Sequence, residues 1–140
     1  MFVLDTNVVS EFMQERPNPS VLHWLDNRLE RDLFVTAVTQ AEVLTGIAIM
    51  SAGQRQEGLA AAADRAFNRM FANRVLPFDR SAAQAYARIT AARRQAGRPI
   101  SQADCQSAAI AVARGGTVVT RNVRDFEGIE IGIVNPWESR

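Results

Sequence analysis

Apolar and polar positions alternate along this chain in short blocks. Phe2, Val3 and Leu4 form a run that stops abruptly at Asp5, Thr6 and Asn7, before Val8, Val9 and Phe12 resume. A short run bounded in this way reads as a buried strand over 2–4. Within SVLHWLDNRLE, 20–30, which follows two prolines, Val21, Trp24, Leu25 and Leu29 recur at helical spacing. LFVTAVT, 33–39, is rich in β-branched residues and predicts a second strand. A helix is expected from about 40 to 50, and a longer one from about 54 to 73, with Leu59, Ala63, Phe67, Met70 and Phe71 on one face. GQRQEG, 53–58, is the segment best suited to a flexible turn. VLPF, 75–78, predicts a third strand. A helix over 79–97 has Asp79 as a possible cap and Gly97 at its end. Another, over 101–116, closes on Gly115 and Gly116. TVVT, 117–120, and IEIGIV, 129–134, complete five strands. Alternation of strands with helices implies an α/β fold, a parallel sheet covered by helices on both faces. No repeat or linker divides the chain, so one domain is expected over 1–140.

Composition changes this picture little. Apolar residues make up 47% and charged residues 22%, the balance of an ordinary globular protein. The formal charge of +1 does not by itself announce a nucleic-acid partner. Every basic side chain apart from the single His is Arg. Arginine suits bidentate phosphate contacts, although GC-rich coding yields the same bias. One cysteine, Cys105, excludes an intramolecular disulfide and points to a reducing, cytoplasmic compartment. No apolar run is long enough to span a membrane, and the N-terminus lacks the features of a signal peptide. His23 stands alone, so a His-rich zinc site is excluded.

Candidate chemistry follows from where the acids fall. Ligands of open α/β sheets bind beyond the carboxyl ends of the strands. Asp5 follows the first predicted strand and Glu42 the second. Thr120, Asn122 and Asp125 follow the fourth, and Asp104 opens the helix before it. Each acid also has a local explanation. Thr39-x-x-Glu42 and Ser101-x-x-Asp104 match capping boxes, Asn122-x-x-Asp125 has the same spacing, and Asp5 suits a helix cap. Jointly they suggest a cluster. Two carboxylates ~5 Å apart repel by about 3 kcal/mol at an effective dielectric of 20, so four need either raised pKa values or a cation. All-oxygen ligation without His or Cys selects Mg²⁺, with Mn²⁺ as a substitute. Such a site fits metal-assisted phosphodiester hydrolysis.

LDTNVVSEF, TQAEVLTGI, ISQADCQSAAIA and TRNVRDFEGI, with a closing NPW, resemble the PIN domain, specifically the VapC and FitB type of toxin ribonuclease. The resemblance covers nearly the whole chain in order. It implies a three-layer α/β/α sandwich with a five-stranded, mainly parallel sheet. It further implies an Mg²⁺-dependent endoribonuclease, a small antitoxin as partner, a homodimer, and contact with DNA only through the antitoxin. By position, Asp5, Glu42 and Asp104 match the family's three acids and Asp125 the fourth, with Asp5 and Asp104 as the most direct metal ligands. Asn7 and Thr120 match supporting polar residues. Some FitB-like chains carry Asp where this one has Asn122, which leaves the fourth ligand between Asn122 and Asp125. Arg121 and Arg124 flank the site as candidates for touching RNA, whereas Arg93-Arg94 reads as a solvated face. Leu22, Ile47 and Ile49 broaden two apolar helix faces, consistent with a dimer surface.

Two other classes compete. An inactive binding module would hold metal or antitoxin without cleaving, but all four acidic positions are filled. A haloacid-dehalogenase-like phosphatase wants a second Asp at position 7, where Asn7 stands, and a phospho-receiver wants a late Lys that the chain lacks. Cys105 reads as a small buried apolar residue rather than a nucleophile, and His23 as structural or surface.

Overall fold

A computed structural model describes residues 1–138; residues 139 and 140, the end of the expected domain, lie outside the described residues. Five strands form one sheet in the order β3-β2-β1-β4-β5. These are β1 (Phe2–Leu4), β2 (Leu33–Thr36), β3 (Val75–Leu76), β4 (Thr117–Val119) and β5 (Gly132–Val134). All four pairings are parallel. Six α-helices connect them: α1 (Thr6–Phe12), α2 (Pro19–Asp26), α3 (Ala37–Ala48), α4 (Gln54–Arg65), α5 (Arg80–Gln95) and α6 (Gln102–Arg114).

Alternation along the central strands splits the core into two layers. Leu4 and Val119 turn to one face and pack with Val8, Val21, Val35 and Phe71. Their neighbours Val3 and Val118 turn to the other, against Ala85, Ile89, Ala108 and Ile110. Both faces of the sheet are covered, and its central strands are apolar but for Thr36 and Thr117 at strand ends, as suits parallel strands under helices. Leu4, wholly buried, contributes about 1.5–3 kcal/mol by leaving water. Gly132 pairs with Thr117, where an added Cβ would come within 2.9 Å of the threonine hydroxyl and would have to displace that side chain. Gly115 ends α6 in the left-handed region, φ 65°, which glycine enters without a Cβ penalty.

The structure corrects several expected boundaries. LFVTAVT is not strand to its end. β2 stops at Thr36, whose side chain accepts from the Thr39 amide and starts α3 at Ala37. The Thr39-x-x-Glu42 capping box is therefore absent, and Glu42 lies in the second turn of α3. GQRQEG is no flexible turn; only Gly53 precedes α4, and the rest is its first turns. The long helix expected over 54–73 ends at Arg65 and passes into a π-helical turn, Ala66–Met70. The third strand is Val75–Leu76 rather than 75–78, and the fifth begins at Gly132 rather than 129.

Candidate active site

The strand order reverses between β1 and β4, since the chain builds outward from β1 through β2 and β3 on one side and adds β4 and β5 on the other. Ligands of open α/β sheets bind beyond the carboxyl ends of the strands at such a reversal. Asp5 follows Leu4 there and Thr120 follows Val119, a registered pair. The Asp5 amide donates to the Val119 carbonyl (2.9 Å), which carries the pairing one residue past β1.

Asp5 is 8% exposed, and both its carboxylate oxygens are engaged. Oδ1 accepts from the Thr6 amide at 2.9 Å, so the residue does cap α1. Oδ2 accepts from the buried Thr120 hydroxyl at 2.8 Å and from the Asn7 amide nitrogen at 3.2 Å. Asn7 also donates to Thr120 Oγ1 (3.3 Å), and its Oδ1 accepts from the Arg121 amide (3.1 Å). Thr120 Oγ1 in turn accepts from the Asn122 amide at 3.0 Å. One polar network thus joins the start of α1 to the loop after β4, with the Asp5 side chain at its centre.

The other acids approach from separate elements. Glu42 is exposed on α3, and its Oε1 accepts from the Thr6 hydroxyl at 2.7 Å, a bond that ties α3 to α1. Thr6 also donates toward Thr39 Oγ1 at 3.2 Å. Thr6 is a site residue that neither strand ends nor acid spacing single out; its place beside Asp5 is the one sequence signal for it. Asp104 lies in the first turn of α6, where the Ser101 side chain accepts from its amide at 3.2 Å. Asp125 lies in a 3₁₀ turn, Val123–Phe126, anchored by wholly buried Phe126. Asn122 precedes that turn, but its side chain makes no capping bond, contrary to expectation; the Asp125 amide donates to the Asn122 carbonyl instead. Arg121 stacks its guanidinium over the Trp137 ring, 5.1 Å from the centroid.

Electrostatics shows that these carboxylates feel one another. Burial raises the Asp5 pKa above its usual 3.8, the Thr120 and Thr6 hydrogen bonds oppose that rise, and the charges of Asp104 and Glu42 push it further up. Asp104 is raised chiefly by burial and then by Asp125 and Glu42, against the lowering effects of Ser101 and Arg93. Among the described residues none of the four acids forms an ion pair; the salt bridges join Arg74 to Glu30, Arg98 to Glu127 and Arg114 to Asp79. Also among them, no group of three or more His, Cys, Asp or Glu side chains is gathered tightly enough to cage a metal ion. What is present is a loose set of hard oxygen donors, none of them in an ion pair among the described residues. That chemistry fits Mg²⁺ or Mn²⁺, which keep several waters and need few protein ligands.

Comparison with known proteins agrees with this architecture. The PIN domain family matches residues 2–131. The chain is 43% identical to the plasmid stability protein StbB of Pseudomonas syringae pv. tomato over 99% of its own length and all of that protein's. It is 41% identical to the VapC ribonuclease Y4jK of Sinorhizobium fredii, over 99% of each chain. It is 36% identical to the toxin FitB of Neisseria gonorrhoeae, over 98% of this chain and 99% of that one. Among solved structures, FitAcB from N. gonorrhoeae superposes with a TM-score of 0.91 at 36% identity, over 99% of each chain. FitAB bound to an IR36 DNA fragment superposes with 0.92 at 35% identity, over 100% of this chain and 98% of that one. With its five-stranded parallel sheet, its carboxylates at the β1–β4 switch point and these full-length matches, the chain belongs to the PIN-domain family.

Proposed function

We propose that this protein is a toxin endoribonuclease that hydrolyses RNA phosphodiester bonds with a divalent cation, Mg²⁺ or Mn²⁺, and is held in check by a small antitoxin. One observation carries the reading: four carboxylates from four separate segments feel one another's charge at the sheet's switch point, and none has an ion-pair partner among the described residues. Asp5 and Asp104 would hold the cation, with Glu42 and Asp125 beside them. A cation bound there supplies positive charge against the scissile phosphate and makes a bound water more acidic.

The chain's own side chains set the stage for that chemistry. Thr120, Asn7 and the Thr6 amide each donate to Asp5 and hold its carboxylate in the charged form that burial opposes. Thr6 fixes Glu42 with a 2.7 Å bond, leaving Glu42 Oε2 free to accept a proton or hold a water. Arg121 stands beside the network as a cation for an RNA phosphate, and the Trp137 ring limits its motion.

The antitoxin reading rests on the family and on a groove at the site's edge. Thr6, Ser10, Met13, Glu42, Ile47 and Leu59 line it, and a larger cavity bordered by Gln14, Arg55 and Arg65 adjoins it. A helix with an apolar face and an Arg side chain fits this surface, the guanidinium pairing with the carboxylates in place of a cation. Contact with DNA would then run through the antitoxin, and a homodimer would cover Ile49, which is 80% exposed. Purified protein should cut RNA in Mg²⁺ or Mn²⁺ and stop in EDTA. Cleavage that persists in EDTA overturns the mechanism. The antitoxin is expected to be encoded beside this protein's gene, and a growth arrest that co-expression of such a neighbour does not relieve overturns that reading.

A further inference from the structure

Arg93 was expected on a solvated face, and the structure corrects this: it is 7% exposed, whereas Arg94 beside it is exposed. Its position explains the burial. The buried stripe of α5 runs Ala82, Ala85, Ile89, Arg93, so the guanidinium continues an apolar series at helical spacing. A buried cation is costly unless every donor finds a partner. Arg93 has no carboxylate partner among the described residues. It uses backbone carbonyls instead. Nε donates to the Arg98 carbonyl at 2.6 Å, and an NH₂ group donates to the Glu127 carbonyl at 2.7 Å.

Those two carbonyls lie in segments distant along the chain. Arg98 stands three residues before Ser101, which caps α6 and its Asp104. Glu127 follows the 3₁₀ turn that carries Asp125. Arg98 adds a second tie, donating to the Arg124 carbonyl (3.3 Å) and pairing with the Glu127 carboxylate (3.4 Å). Asp104 and Asp125 repel each other, so nothing in their own charges keeps these segments together.

We propose that Arg93 is a positioning residue for the acidic cluster: by gripping the Arg98 and Glu127 carbonyls with one rigid fork, it holds the segment bearing Asp125 against the segment leading into Asp104. The inference rests on the cluster being a divalent-cation site. Lysine keeps the charge at this place but loses the fork, so the charge alone cannot substitute for the geometry.

Two measurements on metal-free and Mn²⁺-loaded protein decide it. In the metal-free state, Arg93→Met should speed amide hydrogen exchange in 121–128 while leaving the β1 and β2 amides unchanged. Mn²⁺ titration, read by calorimetry at a temperature where all variants are folded, should show roughly 10–100-fold weaker binding in Arg93→Met and in Arg93→Lys. In an Asp125→Asn background the same substitutions should change Mn²⁺ affinity by no more than about twofold, because the group that Arg93 positions is gone. If Arg93→Met does not fold, Arg93→Lys carries both arms. Native Mn²⁺ affinity in a folded Arg93 variant, an equal loss with and without the Asp125 carboxylate, or unchanged exchange in 121–128 overturns the proposal. Should the native protein bind no Mn²⁺, the cation reading falls and this inference with it. If it binds Mn²⁺ but cuts no RNA, only the ribonuclease reading fails.

Discussion

Asp5 condenses the residue-scale argument into one side chain. It accepts from Thr6, Asn7 and Thr120, which favours its charged form, while burial and two neighbouring acids oppose that form. The donors fix where the carboxylate points, and the opposing terms leave it short of positive charge. For the fourth acid, charge rather than proximity separates the two candidates, and we propose Asp125. Asp125 adds charge that Asp104 feels, whereas Asn122 is neutral and exposed and contributes its backbone carbonyl to the turn. Asp125→Asn should therefore lose most cleavage activity while staying folded, and should melt higher without metal as repulsion is relieved. Asn122→Ala removes no capping bond and should change stability by less than about 0.5 kcal/mol, with activity largely kept. Melting curves and cleavage rates of the two variants check this; the reverse ranking would make Asn122 the functional residue.

At the scale of elements, the strand-to-helix junctions place the acids. Thr36 is wholly buried, accepts from the Thr39 amide, and lies 3.5 Å from the Ser107 hydroxyl of α6. It thus starts α3 and ties that helix to the one bearing Asp104. Thr36→Val keeps the volume but strands the Thr39 N–H, and should cost about 1–2 kcal/mol, read as a lower Tm. Thr36→Ser should retain most of that stability. This junction also shows the limit of pattern reading. Val35, Thr36, Val38 and Thr39 all favour strands, so the sequence offered no reason to end β2 at Thr36; burial of its hydroxyl as a cap overrode propensity. Arg93 was illegible for a similar reason, since an Arg-Arg pair reads as solvated until packing shows which of the two continues the buried stripe. The existence of the five strands, their order along the chain and the acids near the ends of β1, β2 and β4 were legible, because short apolar runs mark buried strands even where their exact ends are hidden. Thr6 and the Asn7 network depend on contacts between segments from 33 to 115 residues apart, which local patterns do not encode.

For the whole molecule, the two raised carboxyls couple folding to pH and to cation binding. Asp5 and Asp104 hold a proton more tightly in the folded chain than at their unfolded value of 3.8. Between that value and the raised one the folded state binds more protons, so stability falls as pH rises through this window. Relative to an Asp5→Asn/Asp104→Asn variant, metal-free native protein should lose Tm as pH rises from about 4 through this window, and Mn²⁺ at neutral pH should restore it by binding only the folded state. A native-minus-variant Tm difference that rises over the same range would mean that the two carboxyls are already neutralised from within. Single-turnover RNA cleavage in Mn²⁺ by the native protein and by Asp5→Asn, both verified as folded, decides whether this cluster hydrolyses RNA. Rapid cleavage is expected of the native protein and a loss of roughly a hundredfold or more in the variant, of the size that follows removal of a group stabilising transition-state charge. Equal cleavage by Asp5→Asn would contradict that role for the cluster.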